Sequence, residues 1–411
     1  MNKLKLAYLV THPIQYQAPL LRLIAAEPDI DLTVFFGTDF TARTFTAEEF
    51  GQTITWDVPL LDGYRHVLLP RLIEPKREKG KLEPLDFVHP LSRGFARHLS
   101  AGRFDVLWVH GYAHWTHIAA MASARRRGVK VLLRDEATSI SAARSLPKQV
   151  AKRAFFGLLR GLVDGFLSIG TLNKRYYVEN GIAEDHIFLV PYAVDNARFQ
   201  QQAAAANATR AARRAALGLA PDQPALLFAA KLIERKRPAL LIDAFTRVLA
   251  DPAMRNPVLL LCGDGPQRAE LEARAASLPA GAVRFLGFKG QAELPEWYDL
   301  CDAFVLPSGQ ESWGLVVNEA MNAGRAIIAS DRIGSAVDLV VPGRNGAIFR
   351  CDDVEDFARA IAAVIGDRQR LEAMGRESLA IINRWDFAAD IAGLRAALEA
   401  VCPGRVAAAR A

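Results

Sequence analysis

The chain has 411 residues, of which 51% are hydrophobic and 23% charged, and its formal net charge at pH 7 is +6. This composition predicts a globular protein of two or three domains and excludes a disordered chain. The basic excess is too small for a nucleic-acid-binding protein, and no apolar run approaches the ~18 residues that a membrane-spanning helix needs.

The first apolar run, from Leu4 to Val10, is too short for a signal-peptide core and is predicted as a strand. The cysteines show no zinc-site spacing and lie mostly in apolar runs, which predicts buried free thiols in a reducing compartment. We therefore expect a cytoplasmic protein, either free or bound peripherally at the inner face of the membrane. The four cysteines are Cys262, Cys301, Cys351 and Cys402.

The first half of the chain alternates apolar strands with helical segments, beginning with a strand at 4–10, a helix at 18–26 and a strand at 32–36. This alternation predicts a doubly wound α/β domain. Polar residues follow several of the predicted strands, where such sheets bind ligands. A turn role for His12, and an internal ion pair for the charges at 134–136, are the alternatives. The residues at these strand ends are His12, Gln15, His110, Tyr112, Arg134 and Glu136.

Three histidines, His110, His114 and His117, have i, i+4, i+7 spacing, which raises the question of a zinc site. His110 ends a strand whereas the other two fall on the next helix, and no cysteine or carboxylate completes the set. We therefore expect no metal here. A buried core histidine is the alternative for His110.

Two further segments of the first half have an unusual character. Residues 38–89 are polar and longer than an ordinary α/β connection, and they mix aromatic with basic side chains. They suit a sugar or phosphate acceptor, or a solvated flap. Residues 147–162 are amphipathic and basic, which favours packing on the sheet but also fits contact with an anionic membrane surface.

The alternation restarts after residue 195. A strand at 225–230 is followed by a loop that contains Lys231 and Lys236, and the cations crowded there would be stabilised by an anion. A strand at 258–262 precedes Gly263 and Gly265. This glycine pair alone is weak evidence for a dinucleotide site, because Arg268 stands where the third glycine would be.

The most informative stretch runs from 302 to 324. An apolar strand ends at Pro307, and a helix is predicted from Leu315 to Asn322. The unpaired amides at the helix start, beside Gly314, form a site for an anion. Glu311 and Glu319 flank that site, and they either hold sugar hydroxyls or are ordinary solvated residues.

The Glu-x7-Glu spacing of Glu311 and Glu319, followed by Ala-Met-Asn-Ala-Gly, resembles the donor-site signature of retaining glycosyltransferases of family 4, the glycosyl transferases group 1. The resemblance implies an α/β protein of the GT-B fold, with two doubly wound Rossmann-like domains facing a central cleft. It places an acceptor-side domain at 1–195 and a nucleotide-sugar-binding domain at 196–385. Residues 386–411 would form a C-terminal helix that crosses back to the first domain.

The resemblance also implies roles for individual residues. The donor's ribose hydroxyls would bind Glu319, its diphosphate would bind the lysines and the helix start, and its sugar would lie near Glu311. The first loop departs from the family pattern, because Pro13 and Gln15 stand where glycine is expected. The implied donor-binding set is Lys231, Lys236, Gly263, Gly287, Phe288, Glu311, Ser312, Trp313, Gly314, Leu315, Val316 and Glu319. The implied catalytic residues are His110, Glu311 and Lys236, and the implied acceptor contacts are His12, Gln15, Tyr112, Arg134 and Glu136.

The implied activity is transfer of a sugar from a nucleotide-diphosphate sugar to a hydroxyl of a glycan, a lipid-linked saccharide or a small molecule. Anomeric configuration would be retained, without a metal or other cofactor, in cell-envelope or polysaccharide biosynthesis. Two alternatives share the fold: a nucleotide-sugar 2-epimerase and a catalytically inactive sugar- or lipid-binding protein.

Overall fold

The computed structural model describes residues 3–43, 45–47, 52–54, 56, 58–72, 85–141 and 146–406. These residues form two compact units. The first unit contains the described residues up to Tyr192 together with those from Phe387 onwards, and the second contains Ala193–Asp386.

The first unit is built on a seven-stranded sheet in which all neighbouring strands are parallel. Its strands are β1 (Leu4–Val10), β2 (Ile30–Phe36), β5 (Arg65–Leu68), β6 (Val106–His110), β7 (Lys130–Arg134), β8 (Gly165–Ser168) and β9 (Ile187–Leu189), and β3 (Phe45–Ala47) and β4 (Gln52–Ile54) form a separate antiparallel pair. The spatial order in the sheet is β5-β2-β1-β6-β7-β8-β9. Its helices are α1 (Gln17–Ala26), α2 (Phe95–Gly102), α3 (Trp115–Arg126), α4 (Leu146–Arg160), α5 (Thr171–Glu179) and α15 (Phe387–Val401).

The second unit contains a six-stranded parallel sheet in the order β12-β11-β10-β13-β14-β15. Its strands are β10 (Ala225–Ala229), β11 (Val258–Cys262), β12 (Val283–Gly287), β13 (Ala303–Leu306), β14 (Ala326–Ser330) and β15 (Gly346–Phe349). Its helices are α6 (Asn196–Asn207), α7 (Arg210–Ala216), α8 (Pro238–Leu249), α9 (Arg268–Ala275), α10 (Leu294–Leu300), α11 (Leu315–Asn322), α12 (Gly334–Leu339), α13 (Val354–Ile365) and α14 (Arg368–Ile382).

The central strands of both sheets are predominantly apolar because helices cover both faces of a parallel sheet. Every residue of β10, β11 and β13 is buried, and side chains of α8 and α13 complete the core of the second unit. The predicted fold class, two doubly wound α/β units, is confirmed.

The strand order fixes where each unit can bind a ligand. In each sheet the chain first winds outward in one direction and then restarts beside its first strand, so that β6 lies next to β1 and β13 lies next to β10. Loops that leave the carboxyl ends of such neighbours diverge and open a crevice at this switch point. The loops after β1 and β6, and those after β10 and β13, are therefore the candidate ligand loops.

The last helix, α15, packs on the first sheet. A Cβ atom on Gly393 would lie 1.9 Å from the carbonyl oxygen of Leu189, so the helix backbone approaches β9 more closely than any side chain would allow. Arg395 of the same helix forms ion pairs with Glu27 and Asp29, both at 2.5 Å.

Three parts of the fold differ from the sequence-based expectation. The region 38–89, expected to be loop, contains β5, an edge strand whose exposed side chains give no apolar run. Residues 198–218, expected to form a linker and a helix, lie mostly in the two helices α6 and α7, and α14, expected at 368–374, continues to Ile382. The basic residues Lys76, Arg77, Lys79 and Lys81 of the region 38–89, which the sequence suggested for a sugar or phosphate acceptor, lie outside the described residues. Within the described ranges, no helix has the length and apolar character required to cross a bilayer.

Candidate functional site

A part-buried ion pair joins the two loops at the switch point of the second sheet. Lys236, after β10, places its Nζ atom 2.8 and 2.7 Å from the two carboxylate oxygens of Glu311, after β13. Burial lowers the pKa of Lys236, Glu311 opposes this shift, and Arg235 adds to it. The structure therefore brings together two of the three predicted catalytic residues.

Lys231 lies on the same loop as Lys236, and burial followed by the charges of Lys236 and Arg235 lowers its pKa. Backbone packing fixes this loop: a Cβ atom on Gly263 would lie 1.9 Å from the carbonyl oxygen of Ala230. Gly263 thus supports the loop that carries Lys231 and Lys236, which is a structural role in addition to the donor contact predicted for it. The amide of Gly263 also donates to the carbonyl of Gly287 at 2.9 Å. Gly287, which Phe288 follows, therefore lies next to the loop after β11.

The loop that carries Glu311 pairs with the segment after β14. The amide of Glu311 donates to the carbonyl of Arg332 at 3.0 Å, and the amide of Gly334 donates back to the carbonyl of Glu311 at 3.1 Å. A Cβ atom on Gly334 would lie 2.0 Å from the carbonyl oxygen of Ser312. This backbone ladder holds the loop in one conformation up to the start of α11.

Gly314 begins α11 with a φ of 92°, in the left-handed region, and makes no side-chain capping bond. The main-chain amides of the first helical turn, which includes Leu315 and Val316, therefore have no capping side chain. Trp313 is different from its neighbours, because its ring is buried: it stacks on Trp385 with centroids 5.4 Å apart and donates from Nε1 to Asn318 at 3.0 Å. The donor contact predicted for Trp313 can therefore come only from its main-chain amide.

Glu319 lies in the second turn of α11 and is 1% exposed. Its Oε2 atom accepts a hydrogen bond of 2.7 Å from the hydroxyl of Tyr298, on α10. The solvated-residue alternative is thus wrong for Glu319, and α10 fixes the carboxylate in one orientation.

In the first unit, His110 occupies the equivalent switch point at the end of β6. The amide nitrogen of Gln17 lies 3.1 Å from Nδ1 of His110, and the hydroxyl of Tyr8 donates to the amide oxygen of Gln17 at 2.5 Å. Glu136, after β7, lies 3.6 Å from Nε2 of His110. Burial lowers the pKa of His110 while Glu136 opposes the shift, so the ring is neutral near pH 7 and its orientation is fixed from two sides.

His12 and Gln15 lie on the loop after β1. Burial, with contributions from His110 and His114, lowers the pKa of His12 to about 4. The ring of His12 bonds Thr11 at 2.8 Å. The Oε1 atom of Gln15 is buried and has no hydrogen-bond partner among the described residues. A buried unpartnered acceptor is costly, and a ligand hydroxyl would satisfy it.

Two predicted acceptor residues have other partners. Arg134 is 1% exposed and pairs at 3.4 Å with Asp390 of α15, which is equally buried, so its prediction as an acceptor contact is corrected to the internal ion pair. The Tyr112 hydroxyl bonds Lys152 at 2.5 Å and Tyr176 at 3.1 Å, which ties it to α4 and α5.

His114 and His117 each bond a main-chain carbonyl oxygen. Nδ1 of His114 donates to Asp86 at 2.6 Å, and Nδ1 of His117 donates to Gly111 at 2.7 Å. Across the described ranges, no three metal-ligating side chains converge.

Two residues of the site were missed at the sequence level. Arg235 lies 3.3 Å from the Glu311 carboxylate and donates to the carbonyl of Gln310 at 2.9 Å. Gln17 orients His110 from a position 93 residues away in the chain. The sequence did offer a signal for Gln17, because it is a polar side chain at the start of the helix that follows β1.

Comparison with known proteins finds a family match inside the second unit. Residues 209–379 match the family model described as Glycosyl transferases group 1. The match covers 171 of the 411 residues, all of them in the second unit. The matched segment includes Lys231, Lys236, Glu311 and Glu319, so the switch-point cluster falls inside it.

Curated relatives resemble part of the chain. The D-inositol 3-phosphate glycosyltransferase of Nocardia farcinica is 33% identical over 220 residues, which is 52% of this chain and 47% of the relative. The chain thus spans about half the length of the curated relatives it matches.

Solved structures resemble nearly the whole chain. The Anabaena protein HepE in complex with UDP and glucose superimposes with a TM-score of 0.65 at 18% identity, covering 96% of this chain and 99% of HepE. A glycosyltransferase from Rickettsia africae gives a TM-score of 0.70 at 12% identity, covering 98% of this chain and 100% of the other. Both agree with the GT-B fold predicted from the sequence.

Proposed function

We propose that the chain is a glycosyltransferase that moves a sugar from a nucleotide-diphosphate sugar to a hydroxyl acceptor with retention of configuration. The observation that carries the proposal is the cluster of Lys231, Lys236 and Glu311 at the switch point of a group 1 glycosyltransferase domain. A catalytically inactive binding protein would not need to keep a part-buried cation and its carboxylate partner in this position.

The donor diphosphate is proposed to bind Lys231, Lys236 and the first turn of α11. Fixed ammonium groups and helix amides stabilise the charge that grows on a departing diphosphate, and they require no reorganisation during the reaction. Because these cations supply the positive charge, we propose that neither a metal nor another cofactor is required. The UDP held in the HepE complex supports a nucleoside diphosphate as ligand.

Two carboxylates are proposed to bind the hydroxyls on either side of the diphosphate. Glu319 would hold the ribose diol with the carboxylate that Tyr298 orients. Glu311 would lie near the donor sugar, where its ion pair with Lys236 couples sugar and phosphate recognition. Gly287 and Phe288 are proposed to frame the base.

In the transfer step, the acceptor oxygen forms a bond to the anomeric carbon as the bond from that carbon to the β-phosphate oxygen breaks. The acceptor attacks on the face that the diphosphate leaves, and its proton passes to the departing phosphate oxygen. His110 is proposed to position the acceptor, because Gln17 and Glu136 fix its ring and its lowered pKa keeps it neutral. Gln15 and His12 are proposed as further acceptor contacts.

The acceptor is proposed to be a glycan, a lipid-linked saccharide or a small polyol, in cell-envelope or polysaccharide synthesis. A contact with the inner face of a membrane is supported by α4. Its outward side exposes Val150 and Leu158, which are 67% and 74% exposed. The exposed cations Lys148, Arg153 and Arg160 surround them. Such a helix suits the interface of an anionic bilayer.

The experiment is a transfer assay with UDP-, GDP-, ADP- and CDP-sugars. The acceptors include D-inositol 3-phosphate, because the relatives carry that name. We expect one donor to give an acceptor-dependent release of nucleoside diphosphate and a product of retained configuration by NMR. A new sugar epimer from the donor alone would support the epimerase alternative, and the absence of both reactions would support an inactive binding protein.

A further inference from the structure

The second unit contains a large cavity at the opposite edge of its sheet from the lysine cluster. The cavity has a volume of about 720 Å³ and lies at the amino ends of β10, β13 and β14, where it is covered by α7 and α14. We propose that it binds a phosphorylated small molecule of about the size of a sugar phosphate. This site is separate from the proposed donor site.

The lining of this arginine cavity is strongly basic. Its six arginines are Arg210, Arg214, Arg255, Arg325, Arg368 and Arg376. Three carboxylates, Asp222, Asp302 and Glu372, also line it, which leaves a net charge of +3. Arginine forks match the geometry of phosphate oxygens and bind them through paired, charge-assisted hydrogen bonds.

The carboxylates that line the cavity form ion pairs with only some of its arginines. Asp302 pairs with Arg210 at 2.6 Å and with Arg214 at 3.3 Å. Glu372 pairs with Arg368 at 3.0 Å. The remaining three arginines therefore have no carboxylate of the cavity lining as an ion-pair partner among the described residues.

These three arginines differ in what else they contact. Arg255 donates from one terminal nitrogen to the carbonyl of Ile365 at 2.7 Å. Arg325 bonds the carbonyls of Ala323 and Cys301, and its nearest carboxylate, that of Asp299 outside the cavity, is 3.9 Å away.

Arg376 is exposed on α14, and its side chain makes no hydrogen bond or ion pair to any described residue. Guanidinium groups that share a cavity without matching anions repel one another. Burial and the nearby charge of Arg210 lower the pKa of Arg325 accordingly. A bound phosphate would relieve this repulsion.

The rest of the lining distinguishes a small molecule from a polymer. Leu219, Leu371 and Leu379 give the cavity apolar walls that can contact the carbon skeleton of a ligand. The volume falls in the range of small-molecule sites, about 300–1,000 Å³. A nucleic acid would instead need an extended basic face, and the net charge of the whole chain is only +6.

Distance separates this cavity from the donor cluster. Pro224, in the cavity lining, precedes β10, and Lys231 follows it. A five-residue strand spans roughly 17 Å, so one ligand of sugar-phosphate size cannot occupy both places.

The test is isothermal titration calorimetry of the full chain with glucose 6-phosphate and inorganic phosphate, with glucose as the neutral control. The pocket variants are Arg255→Gln and Arg376→Gln. Arg247→Gln, at an exposed ion pair with Glu355 elsewhere in the unit, is the matched control. Lys236→Ala reports binding at the donor cluster. Thermal unfolding checks that each variant is folded, and the Arg376 side chain makes no hydrogen bond or ion pair with the described residues whose loss could unfold the protein.

We expect saturable binding of at least one phosphorylated probe and none of glucose. Each pocket variant should weaken that binding by about tenfold or more, as expected for a lost charge-assisted hydrogen bond, while Arg247→Gln and Lys236→Ala leave it unchanged. The pocket variants should retain nucleoside diphosphate binding, which separates this proposal from the proposed function. Failure of both phosphorylated probes to bind, equal binding by the pocket variants, or loss of binding in Lys236→Ala would overturn it.

Discussion

Lys236 and Glu311 form a bidentate ion pair between the loops that follow β10 and β13, and their side chains are 13% and 14% exposed. Burial lowers the pKa of the lysine, and the carboxylate opposes this shift. A cation held this way before the ligand arrives is what a diphosphate leaving group requires.

Glu319 should recognise the ribose diol. Wild-type protein should bind a nucleoside diphosphate about tenfold or more tightly than its 2′-deoxy analogue, because the hydroxyl bonds a charged carboxylate. Glu319→Ala should bind the two nucleotides equally. Calorimetry measures the ratio of dissociation constants, with Glu355→Ala as the exposed-carboxylate control. Undiminished discrimination in Glu319→Ala would remove this assignment.

The Arg134–Asp390 pair should contribute to the stability of the first unit rather than to acceptor binding. Arg134→Met and Asp390→Leu should each lower the free energy of unfolding by about 3–5 kcal/mol, since each leaves a buried charge without its partner. The double variant should lower the free energy of unfolding by less than the sum of the two single-variant losses. Urea denaturation measures these values, with Lys174→Ala at an exposed ion pair as the control, expected within about 1 kcal/mol of wild type. Additive single costs would show that the pair is not coupled.

His117 should make the first unit less stable in acid. Burial, with smaller contributions from the neighbouring His114 and His110, lowers the pKa of His117 to about 3, so the ring is neutral in the fold. The unfolded chain takes up this proton below about pH 6.5, so the stabilisation is complete above that pH and is lost as the pH falls toward 3.

The His117 effect can be measured by urea denaturation at two pH values. Between pH 7.5 and 5, this one residue should account for about 2 kcal/mol of the loss in unfolding free energy. His117→Gln should show a correspondingly smaller loss, whereas the exposed His186→Gln should behave as wild type. An identical pH dependence in His117→Gln would contradict the assignment.

The outward face of α4 should bind anionic membranes. Replacement of both Val150 and Leu158 by glutamate should abolish co-sedimentation with phosphatidylglycerol vesicles, because it introduces charge where apolar side chains would enter the interface. Val178→Glu, an exposed apolar site on α5, is the control. Equal sedimentation of the double variant and wild type, or no sedimentation of the wild type, would argue against membrane contact.

The second unit was the more predictable one because its chemistry is contiguous in sequence. The strand, loop and helix that carry Glu311, Gly314 and Glu319 lie within 302–324, and α11 begins and ends at the predicted residues. Burial of Glu319 beneath Tyr298 could not be predicted, because α10 lies outside that motif.

The first unit depended more on contacts between distant residues. Gln17 and His110 are 93 residues apart, and Arg134 and Asp390 are 256 apart. Strand-end position alone made Arg134 look like a ligand residue, because the sequence does not show which helix covers that strand. The edge strand β5 was missed for a related reason: its neighbours in the sheet, not its own apolar pattern, make it a strand.

The most direct test of the donor site is calorimetry of the preferred nucleoside diphosphate and its parent nucleoside with wild type and Lys236→Ala, using Arg247→Ala as the matched control. We predict that Lys236→Ala weakens diphosphate binding by about tenfold or more, leaves nucleoside binding unchanged, and lowers turnover by about a hundredfold or more. Diphosphate affinity and turnover equal to those of wild type would contradict a diphosphate site at the Lys236–Glu311 pair.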